Sequence, residues 1–359
     1  WNSSDMHLSV GRPPMFRVNG KLDAIRYRAL TDGDFRTLVE PITPPHFWKQ
    51  YMETGDVDFA FEMPGISRFR VNLFRQERGM GGVFRNLAAS LVTLKKLNLP
   101  ESIEKVVEFK QGLVLVTGPT GSGKSTTLYA SLQELEGENL KILTVEDPVE
   151  YRLQWLNQVQ VQPQIGLSFA AVLRSFLRQD PDVIMIGEMR DGETAEIAVQ
   201  AALTGHLVLS TLHTNSALGA IVRLINMGVE PYLITASVVG VLAQRLVRKL
   251  CTDCKAPLTP EQAHLAASSL GVQAPAEATL CRPVGCAHCR STGYRGRLAI
   301  HELLELNDQV KRAVLENGST LRGDEGAYAA GNLLHDGATK VFQGLTTAEE
   351  VLRVARQHD

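Results

Sequence analysis

Short apolar and polar alternation governs the first part of the chain. Between Met6 and Arg85, runs such as Met15-Phe16-Arg17-Val18 and Phe69-Arg70-Val71-Asn72-Leu73-Phe74 are separated by Gly, Pro and Asp. A period of two bounded by turn residues predicts half-buried strands, and Pro44 to Met52 predicts a helix start, so this segment reads as a strand-rich α+β domain. Residues 86–110, with Thr93-Leu94-Lys95-Lys96-Leu97, read as a polar linker leading into a helix.

The pattern then changes to strand 113–117, helix 124–135, strand 141–145, helix 168–178, strand 182–186, helix 192–203 and strand 207–211. Such alternation predicts a parallel sheet with helices on both faces and ligand at the carboxyl ends of the strands. After residue 250 the chain becomes cysteine-rich and then helical, including Thr347 to Arg356. The expected organisation is an α+β domain at 1–90, a linker at 91–110, an α/β core at 111–250, a cysteine module at 251–297 and a helical carboxyl-terminal part at 298–359. There is no internal repeat and no low-complexity segment.

The apolar run Leu113-Val114-Leu115-Val116 feeds Gly118-Pro119-Thr120-Gly121-Ser122-Gly123-Lys124-Ser125, a complete G-x-x-x-x-G-K-S phosphate loop. Its glycines let consecutive backbone N–H groups curl around a triphosphate, Lys124 reaches the β/γ-phosphates and the Ser125 hydroxyl holds Mg²⁺. Thr126 to Leu135 continue as a helix whose positive end faces the same phosphates. ATP is the expected ligand.

Composition narrows the setting. The chain carries 37 basic and 39 acidic residues, 44% hydrophobic and 6% aromatic content. Balanced charge and few aromatics disfavour a nucleic-acid channel, which needs basic grooves and stacking platforms. No apolar run approaches the length of a membrane helix. The chain opens on Trp1 with no initiator methionine and no signal-peptide pattern, so absent upstream sequence and a cytosolic setting are expected.

Hydrolysis needs a carboxylate near the γ-phosphate. Val183-Ile184-Met185-Ile186-Gly187-Glu188 is a strand ending in an acid, with Gly187 where many such strands carry a Mg²⁺-supporting Asp; Glu188 is the first choice for water activation. The second candidate is Leu143-Thr144-Val145-Glu146-Asp147-Pro148-Val149-Glu150, whose acidic cluster is expected at an exposed strand tip because Pro148 ends the strand. Without a phosphate loop, either acid would read as a helix cap or a solvated turn. His206 and His213 bracket strand 207–211, and the polar run Ser210, Thr211, His213, Thr214 lies where a γ-phosphate sensor belongs; a lone strand histidine is otherwise structural.

Taken together, GPTGSGKST, TVEDPVEY, LRQDPDVIMIGEMRD and TGHLVLSTLHTNSA, in this order, resemble the Walker A, Asp box, Walker B and His box of the hexameric ATPases of type II secretion and type IV pili. The resemblance continues through Val241-Leu242-Ala243-Gln244-Arg245-Leu246-Val247-Arg248 and Gly344-Leu345-Thr346-Thr347-Ala348-Glu349-Glu350-Val351. It implies a RecA-like core behind a PAS-like α+β domain. It also implies a homo-hexamer that hydrolyses ATP at the cytoplasmic face of the inner membrane, acting on secretion or pilus platform proteins and not on nucleic acid. Lys124 and Ser125 become phosphate and Mg²⁺ contacts, Glu150 the Asp-box acid, Glu188 the Walker-B acid and His213 a γ-phosphate contact. Arg68 to Gly79 with Val83-Phe84-Arg85 resembles the family's arginine-bearing region and nominates Arg70, Arg78 and Arg85 over Arg75. A guanidinium suits that role because it stays charged and forks onto phosphate oxygens, although an Arg-rich solvent face would look the same.

Cys251-Thr252-Asp253-Cys254 and Cys286-Ala287-His288-Cys289 are two CxxC knuckles, which predict a closed four-thiolate site for structural Zn²⁺. A redox pair would need a thioredoxin-like context that is missing. Cys281 remains as a free thiol, and His288 is a less simple alternative ligand. Secretion and pilus-assembly members usually carry such a module, whereas Ser4 to Ser9 and Asp58 to Gly65 resemble the retraction type. The leading expectation is a secretion or pilus-assembly motor. A retraction ATPase, a nucleic-acid-dependent ATPase and a nucleotide-binding scaffold without turnover are the alternatives.

Overall fold

The computed structural model describes residues 3–18, 21–63, 67–87, 93–97, 109–321 and 331–355. The chain divides into two compact units, residues 1–91 and 92–359. The expected linker lies mostly outside the described residues; Leu94–Leu97 forms a short 3-10 turn.

The first unit contains β1 (Asp5–Ser9), β2 (Met15–Val18), β3 (Lys21–Ala24), α1 (Asp32–Val39), α2 (Pro45–Thr54), β4 (Asp56–Met63), β5 (Ser67–Gln76) and β6 (Gly79–Leu87). Its antiparallel sheet runs β3-β2-β1-β6-β5-β4. Thr31 and Asp34 close a capping box at the start of α1, satisfying amides that the helix leaves unpaired. Alternation sends Leu8, Val57, Phe59, Val71, Leu73 and Phe84 to the face covered by Phe35, Val39 and Tyr51 of the helices. The residues between them, including Asp5, Arg70 and Arg85, occupy the opposite face.

The second unit is built on β7 (Gly112–Thr117), α3 (Lys124–Glu134), β8 (Ile142–Glu146), β9 (Asn157–Gln160), α4 (Phe169–Phe176), β10 (Val183–Ile186), α5 (Gly192–Leu203), β11 (Leu207–Leu212), α6 (Ala217–Asn226), α7 (Pro231–Ser237) and β12 (Val238–Leu250). It continues with β13 (Ala256–Pro257), α8 (Pro260–Leu270), β14 (Cys281–Arg282), β15 (Tyr294–Glu305), α9 (Asp308–Asn317), α10 (Leu333–Phe342) and α11 (Ala348–Ala355). Every residue of β7, β8, β10 and β11 is buried, as a parallel sheet covered on both faces requires. Side chains of Ser168, Asp191 and Ser216 cap α4, α5 and α6 directly after the preceding loops.

The main sheet runs β15-β12-β7-β11-β10-β8-β9. Its strands pair in parallel except β15, which is antiparallel to β12, so the sheet is mixed rather than purely parallel. Residues 294–305, expected to straddle a metal module and a helical tail, form this edge strand. Beyond it, α8, α10 and α11 pack Leu270, Val341 and Val351 onto Val247, Leu298 and Ile300 of the two strands. No helix among the described residues is long and apolar enough to cross a membrane.

Candidate functional site

The phosphate loop joins β7 to α3. Gly118, Gly121 and Gly123 have φ of 147°, 81° and 91°, in or beside the left-handed region that only glycine enters freely. A Cβ on Gly118 would stand 2.5 Å from the Gln244 carbonyl oxygen, and one on Gly123 would stand 2.7 Å from Gln244 Nε2. Gln244, buried on β12, donates from Nε2 to the Ser122 carbonyl at 2.7 Å and accepts at Oε1 from the Thr127 hydroxyl at 2.8 Å. One carboxamide thereby fixes the loop to the first turn of α3. Pro119, Thr120 and Gly121 form the exposed crest, Ser122 is buried beneath it, and Ser125 and Thr126 open the helix.

Lys124 folds onto this loop, with Nζ 2.7 Å from the Gly118 carbonyl and 3.1 Å from that of Pro119. Burial lowers its pKa to about 8, Glu188 and Glu150 pull it upward, and Arg245 adds to the lowering. A buried ammonium against backbone carbonyls is the group that an incoming phosphate would engage.

The acids approach from neighbouring strand ends. Glu188 lies two residues beyond β10; its Oε1 pairs with Arg190, and its Oε2 is 3.4 Å from His213 Nε2. Arg190 Nη1 also reaches Asp147 Oδ2 at 3.7 Å. Burial, and then the Lys124 charge, lower the pKa of His213 against the pull of Glu188, so its imidazole stays neutral at neutral pH. Ser125 Oγ donates to Glu150 Oε1 at 3.3 Å. A hydroxyl and carboxylates are the hard oxygen donors that suit magnesium.

One expectation changes here. The acidic cluster after β8 is not uniformly exposed: Glu146 is 3% exposed, because it ends the strand underneath α3 and hydrogen-bonds Tyr129 there. His206 lies before β11, at the far end of the strand from His213, and its Nδ1 is held 2.8 Å from the Ala201 carbonyl, a structural contact. The nominated arginines occupy two places on the first unit. Arg70 and Arg85 face each other across β5 and β6, whereas Arg78 lies in the hairpin turn beyond Gln76, about six strand residues away, roughly 20 Å at strand spacing.

Asp5 lies opposite Arg85 on β1 and binds its Nε at 2.8 Å. Burial would raise the Asp5 pKa, but hydrogen bonds from Arg85 and Ser4 outweigh it and hold the carboxyl below its usual range. Arg75 instead packs its guanidinium over Tyr51 at 5.9 Å. Sequence reasoning missed Gln244 and Arg190 as individual site residues. Gln244 sits inside an apolar run and Arg190 inside the stretch that ends at Asp191, and the only signal of either was its stretch's likeness to the family.

The four knuckle cysteines converge with their sulfurs within 4.8 Å of one another. Cys251–Cys286, Cys254–Cys289 and Cys286–Cys289 Sγ separations are 3.9, 3.7 and 3.7 Å. A tetrahedral zinc with 2.3 Å bonds would set sulfurs about 3.8 Å apart, so the cage fits the ion. Backbone N–H groups of Gly285, Cys286 and Gly293 point at Cys254 and Cys289 sulfurs, a pattern that stabilises thiolates. His288 is not part of this cage; its Nδ1 pairs with Asp253 Oδ2 at 2.8 Å. Cys281 is buried with Leu250 and Tyr294.

The family model described as type II/IV secretion system protein matches residues 61–353. The type II secretion system protein E of Pseudomonas aeruginosa is 50% identical over 295 residues, covering 80% of this chain and 58% of its own length. The putative type II secretion system protein E of Escherichia coli is 47% identical over 375 residues, covering 98% of this chain and 73% of its own. This chain spans about half the length of several other curated relatives that it matches. Among solved structures, the pilus retraction motor PilT with bound ADP has a TM-score of 0.75 at 30% identity, covering 99% of this chain and 94% of that one. The mixed sheet, the phosphate loop and these matches agree, and the chain belongs to the type II/IV secretion system protein family, with its α/β ATPase fold.

Proposed function

We propose that this chain hydrolyses ATP as the motor of type II protein secretion or type IV pilus assembly. The observation that carries this reading is the convergence of Lys124, Ser125, Glu150, Glu188 and His213 at one end of the main sheet. Gly118, Pro119, Thr120, Gly121, Ser122, Gly123 and Thr126 would cradle the phosphates with Lys124, and Ser125 would hold magnesium. Bound ATP and magnesium supply the phosphoryl group and balance its charge. Glu188, oriented by its pairing with Arg190, accepts a hydrogen bond from the attacking water, and neutral His213 offers Nε2 towards the γ-phosphate. Arg70 and Arg85 are the proposed arginine contribution; Arg78 is the weaker candidate because of its place in the turn.

Cys251, Cys254, Cys286 and Cys289 would hold zinc structurally, since four thiolates leave no open position for chemistry. In this reading the first unit is PAS-like, the protein works as a homo-hexamer, and platform proteins hold it at the cytoplasmic face of the inner membrane. Similarity to PilT supports pilus retraction as the second reading, while the four-cysteine cluster supports secretion or assembly.

The test is a strain lacking the gene, complemented with wild type or Lys124→Ala. Loss of pili or secreted proteins, restored only by wild type, supports the motor reading and names its system. Excess pili would assign retraction, and no change in either would overturn both.

A further inference from the structure

The first turns of α3 present Ser125, Thr126 and Tyr129 on one face, since residues three and four apart on a helix are neighbours. Each meets the segment that follows β8. Ser125 Oγ reaches Glu150 Oε1 at 3.3 Å, and the Thr126 hydroxyl lies beside the Tyr151 phenol. Tyr129 is 1% exposed; its phenol donates to Glu146 Oε2, contacts the Tyr151 carbonyl at 3.2 Å and accepts from the Tyr151 N–H at 3.4 Å.

Glu146 is the centre of this staple. Its Oε1 accepts from the Thr144 hydroxyl at 2.6 Å and from Gln158 Nε2 at 3.2 Å, and the backbone N–H of Glu150 lies against the same carboxylate. Gln158 Nε2 also reaches the Tyr129 hydroxyl at 3.2 Å and the Tyr151 carbonyl at 2.8 Å. A buried carboxyl group that sits under a strand tip and binds the backbone four residues on has no route to substrate. It has a firm hold on the loop that carries Glu150.

We propose that Tyr129 and Glu146 are positioning residues that fix Glu150 over Ser125, so that the acid is already in place when a magnesium-bound nucleotide arrives. This rests on the ATPase reading above. Neither side chain touches nucleotide; both act through the backbone of residues 147–151 and through the helix that begins at Lys124. Misplacing the acid by even a fraction of an ångström would weaken the metal-dependent part of binding and leave the metal-free part alone.

The test titrates the intact chain with a fluorescent ADP analogue, in magnesium and in EDTA, for wild type, Tyr129→Phe and the isosteric Glu146→Gln. The expected result is about tenfold weaker binding in magnesium for both variants, with affinity in EDTA unchanged within about twofold. Equal weakening in both buffers, or unfolding of both variants by circular dichroism, would overturn the inference in favour of a purely structural role. Wild-type affinity in magnesium for either folded variant would overturn it as well. A wild-type protein that binds no nucleotide in either buffer would instead overturn the ATPase reading, and this inference with it.

Discussion

His213 Nε2 stands 3.4 Å from Glu188 Oε2, while the Arg190 guanidinium pairs with the other oxygen of the same carboxylate. Two partners from two loops thus orient one acid at the carboxyl end of β10. Replacing Glu188 with Gln preserves shape and removes the proton acceptor. Glu188→Gln is expected to lower kcat by about 10²–10⁴-fold with nucleotide affinity within a few-fold of wild type. Phosphate-release kinetics and a binding titration measure the two quantities, and an unchanged kcat would remove Glu188 from the chemistry.

The pH dependence follows from His213. Burial and the Lys124 charge lower its pKa from 6.5, so the neutral imidazole persists to lower pH than in an ordinary histidine. Hydrolysis that needs this neutral form is full near pH 7 and falls only as pH drops through a value below 6.5. The kcat profile from pH 5 to 8 is expected to show that acid limb, and His213→Asn to flatten it. A limb centred above 7 would contradict the assignment.

The cysteine cage leads to a content measurement. Purified protein is expected to carry about one zinc per chain, lost on Cys254→Ser or on prolonged chelation. Removing the ion frees four buried or half-buried sulfurs at the end of β12, and the thermal midpoint is expected to fall by about 5 °C or more. Elemental analysis beside a melting curve checks both. A metal-free protein of unchanged stability would show that the cage is not a zinc site.

Glu350 on α11 ties the carboxyl-terminal helices to β12. Burial opposes its charge, yet hydrogen bonds from Arg248, from Arg353 and from the Arg248 N–H win and hold its pKa at about 2, against 4.5 for an ordinary Glu. A depressed carboxyl contributes stability that is complete above pH 4.5 and lost as pH falls towards 2. Glu350→Gln is therefore expected to cost roughly 2–3 kcal/mol at pH 7 and progressively less below pH 4. Urea melts at several pH values follow the difference; a pH-independent cost would mean that packing, not charge, explains the effect.

The buried strands β7, β8, β10 and β11 and the helices α3, α4 and α5 were legible because buried parallel strands are continuous apolar runs, whereas β9, a polar and half-exposed edge strand, was not. Ser168 and Asp191 each stand immediately before one of these helices, while the helix that Ser216 caps went unread. The strands β12 and β15 were not legible. β12 carries Gln244 and Arg245 with both side chains buried, which breaks the apolar signature, and β15 becomes a strand only by pairing with β12 over a long sequence separation. The phosphate loop and the two CxxC knuckles were legible because their function fixes local spacing. The burial of Glu146 was not, since what covers it is Tyr129, on a helix placed there by the fold. Arg70 and Arg85 pair across two strands, a relation set by register, and the eight residues to Arg78 gave no hint that the turn carries it away.

The central claim is that the loop around Lys124 and the acids facing it turn over ATP. The most direct measurement is phosphate release from ATP and magnesium by purified wild type and by Lys124→Ala, under identical conditions with melting curves showing both folded. Turnover by wild type, with a loss of about 100-fold or more in the variant, is the expected result. Equal rates, or no turnover by the folded wild-type chain, would contradict it.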